Sequence, residues 1–159
     1  MQKLLVAIVE DDEDDREFIS SSMQKENDVE IIVFSSGTSF LEYIKTANTL
    51  PSLVVTDLKM PVVSGFDVIQ AIKSDSKSKD ITVIVLSTSG NENDIKKAKE
   101  LGAAGYYVKP YSFAEYSTIT DKIIQVLRTG FYPFHKMKEE FLNTFYALLP
   151  IKFFTKGGE

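Results

Sequence analysis

Short apolar runs alternate with helical stripes five times along the chain. The runs are Leu4–Val9, Val29–Phe34, Leu53–Thr56, Ile81–Leu86 and Tyr106–Val108. Most are nearly continuous rather than alternating, as in strands covered by helices on both faces. Between them, apolar residues recur at spacings of three and four. Phe18, Ile19 and Met23 mark a first helix; Phe40, Leu41 and Ile44 a second; Phe66, Ile69 and Ile72 a third; Ile95, Ala98 and Leu101 a fourth, which Gly102 stops. A fifth opens on Ser112 and Glu115 at capping-box spacing and carries Tyr116, Ile119, Ile123, Ile124 and Leu127 along one face. Five βα units predict an open, doubly wound α/β sheet with parallel strands. The Ser74–Asp80 segment reads as a solvated loop within it.

After the fifth unit the composition changes. Residues 131–159 hold eight of the chain's 18 aromatics, so the chain divides into a 1–129 domain and a 130–159 extension. Phe134, Met137, Phe141, Phe145 and Leu148 fall at spacings of three, four, four and three, which predicts a helix ending near Pro150. Five helices already cover both faces of the sheet. The stripe over residues 131–150 is therefore expected to form an intermolecular contact, a homodimer first and another protein's surface second; folding back on its own domain is the alternative. His135 lies in this extension, far from the polar residues considered next.

With 159 residues, 43% hydrophobic and 26% charged, the chain has the composition of an ordinary globular protein. Its net charge of −5 works against nucleic-acid binding. No cysteine means no disulfide, thiol catalysis or Cys-ligated metal, and one histidine cannot build a His cluster. The opening apolar run is cut off by seven acids among residues 10–17, too short for a signal peptide or a membrane span. A cytoplasmic protein is expected.

The chemistry lies where the apolar runs stop. Glu10 and Asp11 follow the first, Asp57 the third, Ser87 the fourth and Lys109 the fifth, whereas the second ends in uncharged Ser35, Ser36 and Gly37. Open α/β sheets bind ligands beyond the carboxyl ends of their strands, where strand order reverses. If the order is 2-1-3-4-5, Glu10, Asp11 and Asp57 meet there. Carboxylates so placed repel one another by on the order of 4 kcal/mol per pair at 4 Å and an effective dielectric of 20. An all-oxygen set selects a hard cation, and few carboxylates in a shallow, watered site suit Mg²⁺. With Lys109 and a hydroxyl nearby, one carboxylate could accept a phosphoryl group whose oxygens the same groups neutralise. Taken alone, the acidic run could simply favour the positive end of the first helix, and Asp57 could be a turn residue.

Five pieces in order carry a resemblance. They are Glu10-Asp11, Asp57 through Met60-Pro61 with Gly65, Ser87, Gly105-Tyr106, and Lys109-Pro110. Over roughly residues 3–129 the chain resembles the receiver domain of two-component response regulators. The resemblance implies the flavodoxin-like strand order 2-1-3-4-5 and a stand-alone phosphoacceptor. Asp57 would take phosphate from the histidine of a sensor kinase; Asp11 would bind Mg²⁺ directly and Glu10 mainly through water, with the Lys59 backbone carbonyl completing the protein's share. Ser87 would bond one phosphoryl oxygen and Lys109 another, Tyr106 would turn inward as Ser87 moves, and a cis peptide bond before Pro110 would orient Lys109. Ser87 stands where the family more often has Thr. A one-residue shift in the acidic run would put Asp12 in the place of Glu10. Leu86 to Ser89 loosely resembles small receivers that partner phytochrome-type kinases.

The implied protein signals by protein contact. It is no metabolic enzyme, having only self-phosphorylation from a phospho-His donor and slow autodephosphorylation. A phosphorylation-independent interaction module of the same fold is the alternative. A flavin carrier on this topology would need a phosphate-cradling loop after the first strand, where this chain has Glu10 to Asp15.

Overall fold

The computed structural model describes residues 3–129 and 151–153. Its elements are β1 (Leu4–Val9), α1 (Glu13–Met23), β2 (Val29–Phe34), α2 (Gly37–Thr46), β3 (Leu53–Thr56), α3 (Gly65–Ser74), β4 (Thr82–Ser87), α4 (Glu92–Glu100), β5 (Gly105–Val108), α5 (Phe113–Thr129) and β6 (Ile151–Phe153). The first five strands pair in parallel in the order 2-1-3-4-5, as expected, and β6 adds an antiparallel sixth beside β5. Sequence reading did not foresee β6. A three-residue strand on a sheet edge is held by its partner, and nothing local marks it. The stripe over residues 131–150, and His135 with it, lie outside the described residues.

Alternation along the strands splits the core in two. On β1, Ala7 and Val9 face one side, where Phe40, Ile69, Ile72, Ile95 and Ala98 of α2, α3 and α4 pack. Val6 and Ile8 face the other, against Ile19 and Met23 of α1 and Ile119, Ile123 and Ile124 of α5. Each large apolar side chain fully buried this way contributes about 1.5–3 kcal/mol. One expected core position differs: Phe18 is 40% exposed. It stacks on the rim of the α1–α5 seam against Phe113 and Tyr116, at centroid distances of 6.1 and 5.8 Å.

Local signals set the helix starts. The side chains of Asp12, Ser36, Ser64 and Asn91 accept backbone N–H bonds at the first turns of α1, α2, α3 and α4. At α5 the Ser112 hydroxyl accepts from the Glu115 amide and donates to its carboxylate, as the capping-box spacing predicts. Within the Ser74–Asp80 loop, Ser78 is buried and donates to the Ile72 carbonyl, so this loop is pinned at its centre.

The β3–α3 connection holds strain. The Val63 amide donates to the Pro61 carbonyl at 2.8 Å, closing a three-residue turn about Val62, whose φ is +67°. That is the rare hand of the γ-turn, and a β-branched residue is the least suited to it. Val62 is also 95% exposed, so no burial repays the cost. Val62→Asn is expected to raise stability by about 1 kcal/mol. An unchanged or lower urea midpoint would show the turn to be unstrained.

Candidate functional site

The first, third, fourth and fifth parallel strands deliver their last residues to one end of the sheet. The Glu10 amide donates to the Phe34 carbonyl and the Asp57 amide to the Val9 carbonyl, extending the ladder one residue past each strand. Single ligand oxygens of Glu10, Asp11 and Asp57 come within 4.8 Å of one another, with Glu10 and Asp57 buried and Asp11 exposed. Asp12 stands apart from this group. Its carboxylate caps α1 through the Asp15 amide, and its own amide donates to Glu10 Oε1 at 3.1 Å. The register that pairs Glu10 with Asp11 is therefore the one the fold brings together.

Each carboxylate is fixed by its surroundings. Asp57 Oδ1 accepts from the Leu58 amide at 2.7 Å, leaving Oδ2 turned toward Lys109 Nζ at 3.8 Å. Arg16 clamps the loop by donating to the carbonyls of Glu10 and Asp11 at 2.8 and 3.2 Å. Lys109 Nζ is 2.8 Å from Glu10 Oε2, an ion pair without hydrogen-bond geometry, so that buried oxygen has a charge opposite it and no donor aimed at it. Burial pushes the Glu10 carboxyl up to about 7, Lys109 opposes the rise, and the neighbouring Asp57 adds to it. One ammonium thus stands against the two buried carboxylates of the trio, Glu10 and Asp57. A buried oxygen lacking a donor, set among hard anionic ligands, fits a small hard cation.

Lys109 itself is buried, which alone would lower its pKa; the hydrogen bond to Asp15 and the negative charges of Glu10 and Asp57 outweigh this and hold it above the usual lysine range. Its backbone amide donates to the Ser87 carbonyl at 2.8 Å. The Lys109–Pro110 peptide bond is trans, correcting the cis expectation. Trans is favoured by about 0.5–1 kcal/mol at an X–Pro bond, and here the ladder bond and the ion pairs aim Lys109.

Ser87 closes β4, fully buried, and its hydroxyl accepts from the Ser89 amide at 3.3 Å. Tyr106 stands inward, buried on β5, with its hydroxyl donating to the Ser89 carbonyl at 2.6 Å. Burial raises its pKa. Lys59 lies exposed in the β3–α3 loop, between buried Leu58 and Met60. Asp15 is the residue that sequence reading missed: its Oδ2 accepts from Lys109 Nζ at 2.7 Å and its Oδ1 from the Tyr116 hydroxyl at 2.9 Å. One signal for it was available. Asp15 precedes Ile19 by four residues, so it is an acid on the apolar stripe of α1.

Comparison with known proteins agrees with this geometry. The profile of the response regulator receiver domain matches residues 6–121. The chain belongs to that family. It is 29% identical over 120 residues to the two-component response regulator ORR7 of rice (Oryza sativa subsp. japonica), covering 76% of this chain and 56% of that protein. The chain thus spans little more than half the length of that relative. It is 29% identical over 110 residues to the chemotaxis protein CheY1 of Helicobacter pylori, covering 69% of this chain and 86% of that one. Among solved structures, the phosphorylated cyanobacterial phytochrome response regulator RcpA superposes with a TM-score of 0.76 at 27% identity, over 81% of this chain and 96% of RcpA. Among the described residues of this receiver, no helix is long and apolar enough to cross a membrane.

Proposed function

We propose that this receiver is a phosphoacceptor that takes a phosphoryl group onto Asp57 from the histidine of a sensor kinase, in the cytoplasm, and passes the signal on by protein contact. The observation that carries the reading is the placement of the Asp57 carboxylate: buried, one oxygen held by the Leu58 amide, the other open toward Lys109 and flanked by Glu10 and Asp11. Glu10, Asp11, Asp57 and the Lys59 carbonyl would hold Mg²⁺. Bound there, the ion would supply positive charge to offset the carboxylates and the incoming phosphoryl oxygens. Asp57 Oδ2 attacks phosphorus, the P–N bond to the donor imidazole breaks, and its electron pair leaves with the ring nitrogen. Lys109 pairs with one phosphoryl oxygen and the Ser87 hydroxyl donates to another, while Tyr106 already holds its inward place before any phosphate is bound. Slow hydrolysis of the acyl phosphate is the only turnover, so the role is signalling rather than metabolism. The relationship to response regulators and the phosphorylated state of RcpA support this over an interaction module that ignores phosphate.

The test is incubation with acetyl phosphate, with and without Mg²⁺, followed by intact mass. Wild type is expected to gain one phosphoryl group in Mg²⁺ and little without it. Asp11→Ala is expected to weaken Mg²⁺ binding at least about tenfold, since a direct charged ligand is worth more than about 1.4 kcal/mol. Wild type that gains no phosphoryl group in Mg²⁺ would overturn the proposal.

A further inference from the structure

Two acids hold the Lys109 ammonium, and only one of them belongs to the site at the strand ends. Glu10 lies at the floor, 2.8 Å away and 1% exposed. Asp15 lies on α1 at 2.7 Å, its side chain 26% exposed. Asp57, the carboxylate that Lys109 serves, is farther off than either, at 3.8 Å. The second oxygen of Asp15 accepts from the Tyr116 hydroxyl on α5. One carboxylate therefore joins the ammonium to the α1–α5 seam.

We propose that Asp15 is a positioning residue that restrains Lys109 in the resting receiver, competing with the phosphoryl group for its ammonium. The inference rests on the phosphoacceptor reading above. A phosphoryl group on Asp57 presents new negative oxygens to Lys109. Those oxygens carry more charge than the Asp15 carboxylate and compete with it for the same ammonium, whose hold on Asp15 weakens the more it turns to them. Lys109 leaves Asp15, and Asp15 is left with Tyr116 alone. The seam between α1 and α5 then loses its tie to the site. Phosphorylation is read out there.

Asp15→Asn isolates the charge, because the amide oxygen still accepts from Tyr116 while the pull on Lys109 falls away. Tyr116→Phe does the reverse. Asp15→Asn is expected to take phosphate from acetyl phosphate in Mg²⁺ about two- to fivefold faster than wild type, the scale of a partly exposed ion pair. Asp15→Glu restores the charge and is expected to return the rate toward wild type, and Tyr116→Phe to change it less than twofold. A second measurement needs no phosphate: peptide mapping after brief acetic anhydride treatment of the resting protein. Lys109 is expected to label several times faster in Asp15→Asn than in wild type or Tyr116→Phe. Wild-type labelling of Lys109 in Asp15→Asn would overturn the restraint, and so would a wild-type or slower phosphorylation rate. If wild type takes no phosphate at all, the phosphoacceptor reading fails, and competition with a phosphoryl group fails with it. Labelling would then report only whether the resting tie exists.

Discussion

Asp57→Asn should leave the receiver folded and unable to gain any phosphoryl group from acetyl phosphate in Mg²⁺. The amide has the size and shape of the carboxylate, so the oxygen that accepts from the Leu58 amide at 2.7 Å can be kept. What is lost is the anionic nucleophile that faces Lys109. An amide oxygen at this position carries no full charge, and phosphoryl transfer to it would give no stable acyl phosphate. The mass adduct is expected to vanish rather than shrink. Stability should not fall, because Asn removes one of three carboxylates whose oxygens lie within 4.8 Å. Relief of that repulsion, on the order of 1 kcal/mol after partial loss of the Lys109 attraction, should raise the urea midpoint of the metal-free protein. The Mg²⁺ affinity should drop for the same reason. An adduct of wild-type size on Asp57→Asn would place the acceptor elsewhere.

That prediction could be framed from the sequence because the residues concerned sit at the points where a regular pattern ends. Glu10, Asp11, Asp57, Ser87 and Lys109 each follow or close an apolar run, and a parallel sheet delivers all such ends to one edge. Strand identity and a strand order were sufficient to bring them together. Asp15 required more. Its partners are 94 and 101 residues away, and which acid of the run meets them depends on how α1 rolls against α5. The helical phase set by Ile19 narrows the choice, but an acid within a run of acids reads as solvated charge. The peptide bond before Pro110 was misjudged because residue type leaves both isomers open. β6 was invisible because three residues on an edge carry no period. The strain at Val62 needed backbone angles, for the sequence shows only a valine after a proline.

Gly65→Ala should be the most damaging glycine-to-alanine change among the described residues. Gly65 opens α3, and its amide donates to the Leu58 carbonyl at 3.0 Å, folding the end of the β3–α3 loop back onto the residues just after Asp57. A Cβ on Gly65 would stand 2.0 Å from the Asp57 carbonyl oxygen and 2.8 Å from both the Asp57 carbonyl carbon and Leu58 Cα. All of these are backbone atoms, so no rotamer can move aside. The Asp57 carbonyl is itself tied down by the Thr56 hydroxyl at 2.9 Å, and Leu58 is 2% exposed in the core. Relief requires either that α3 retreat from the sheet, opening the packing of Val68, Ile69 and Ile72, or that the peptide after Asp57 rotate. Overpacking against side chains costs about 1–3 kcal/mol; against fixed backbone the loss should exceed about 3 kcal/mol. The two routes of escape give different results. A retreating helix lowers the urea midpoint while spared molecules still accept phosphate. A rotated peptide turns the Leu58 amide away from Asp57 Oδ1, and phosphoacceptance falls more steeply than stability. The second is expected, since turning one peptide gives up two hydrogen bonds, from the Thr56 hydroxyl and to Asp57 Oδ1, which costs less than unpacking three buried side chains of α3. A variant with wild-type midpoint and wild-type phosphorylation would show that α3 does not approach the Asp57 backbone as closely as this structure has it.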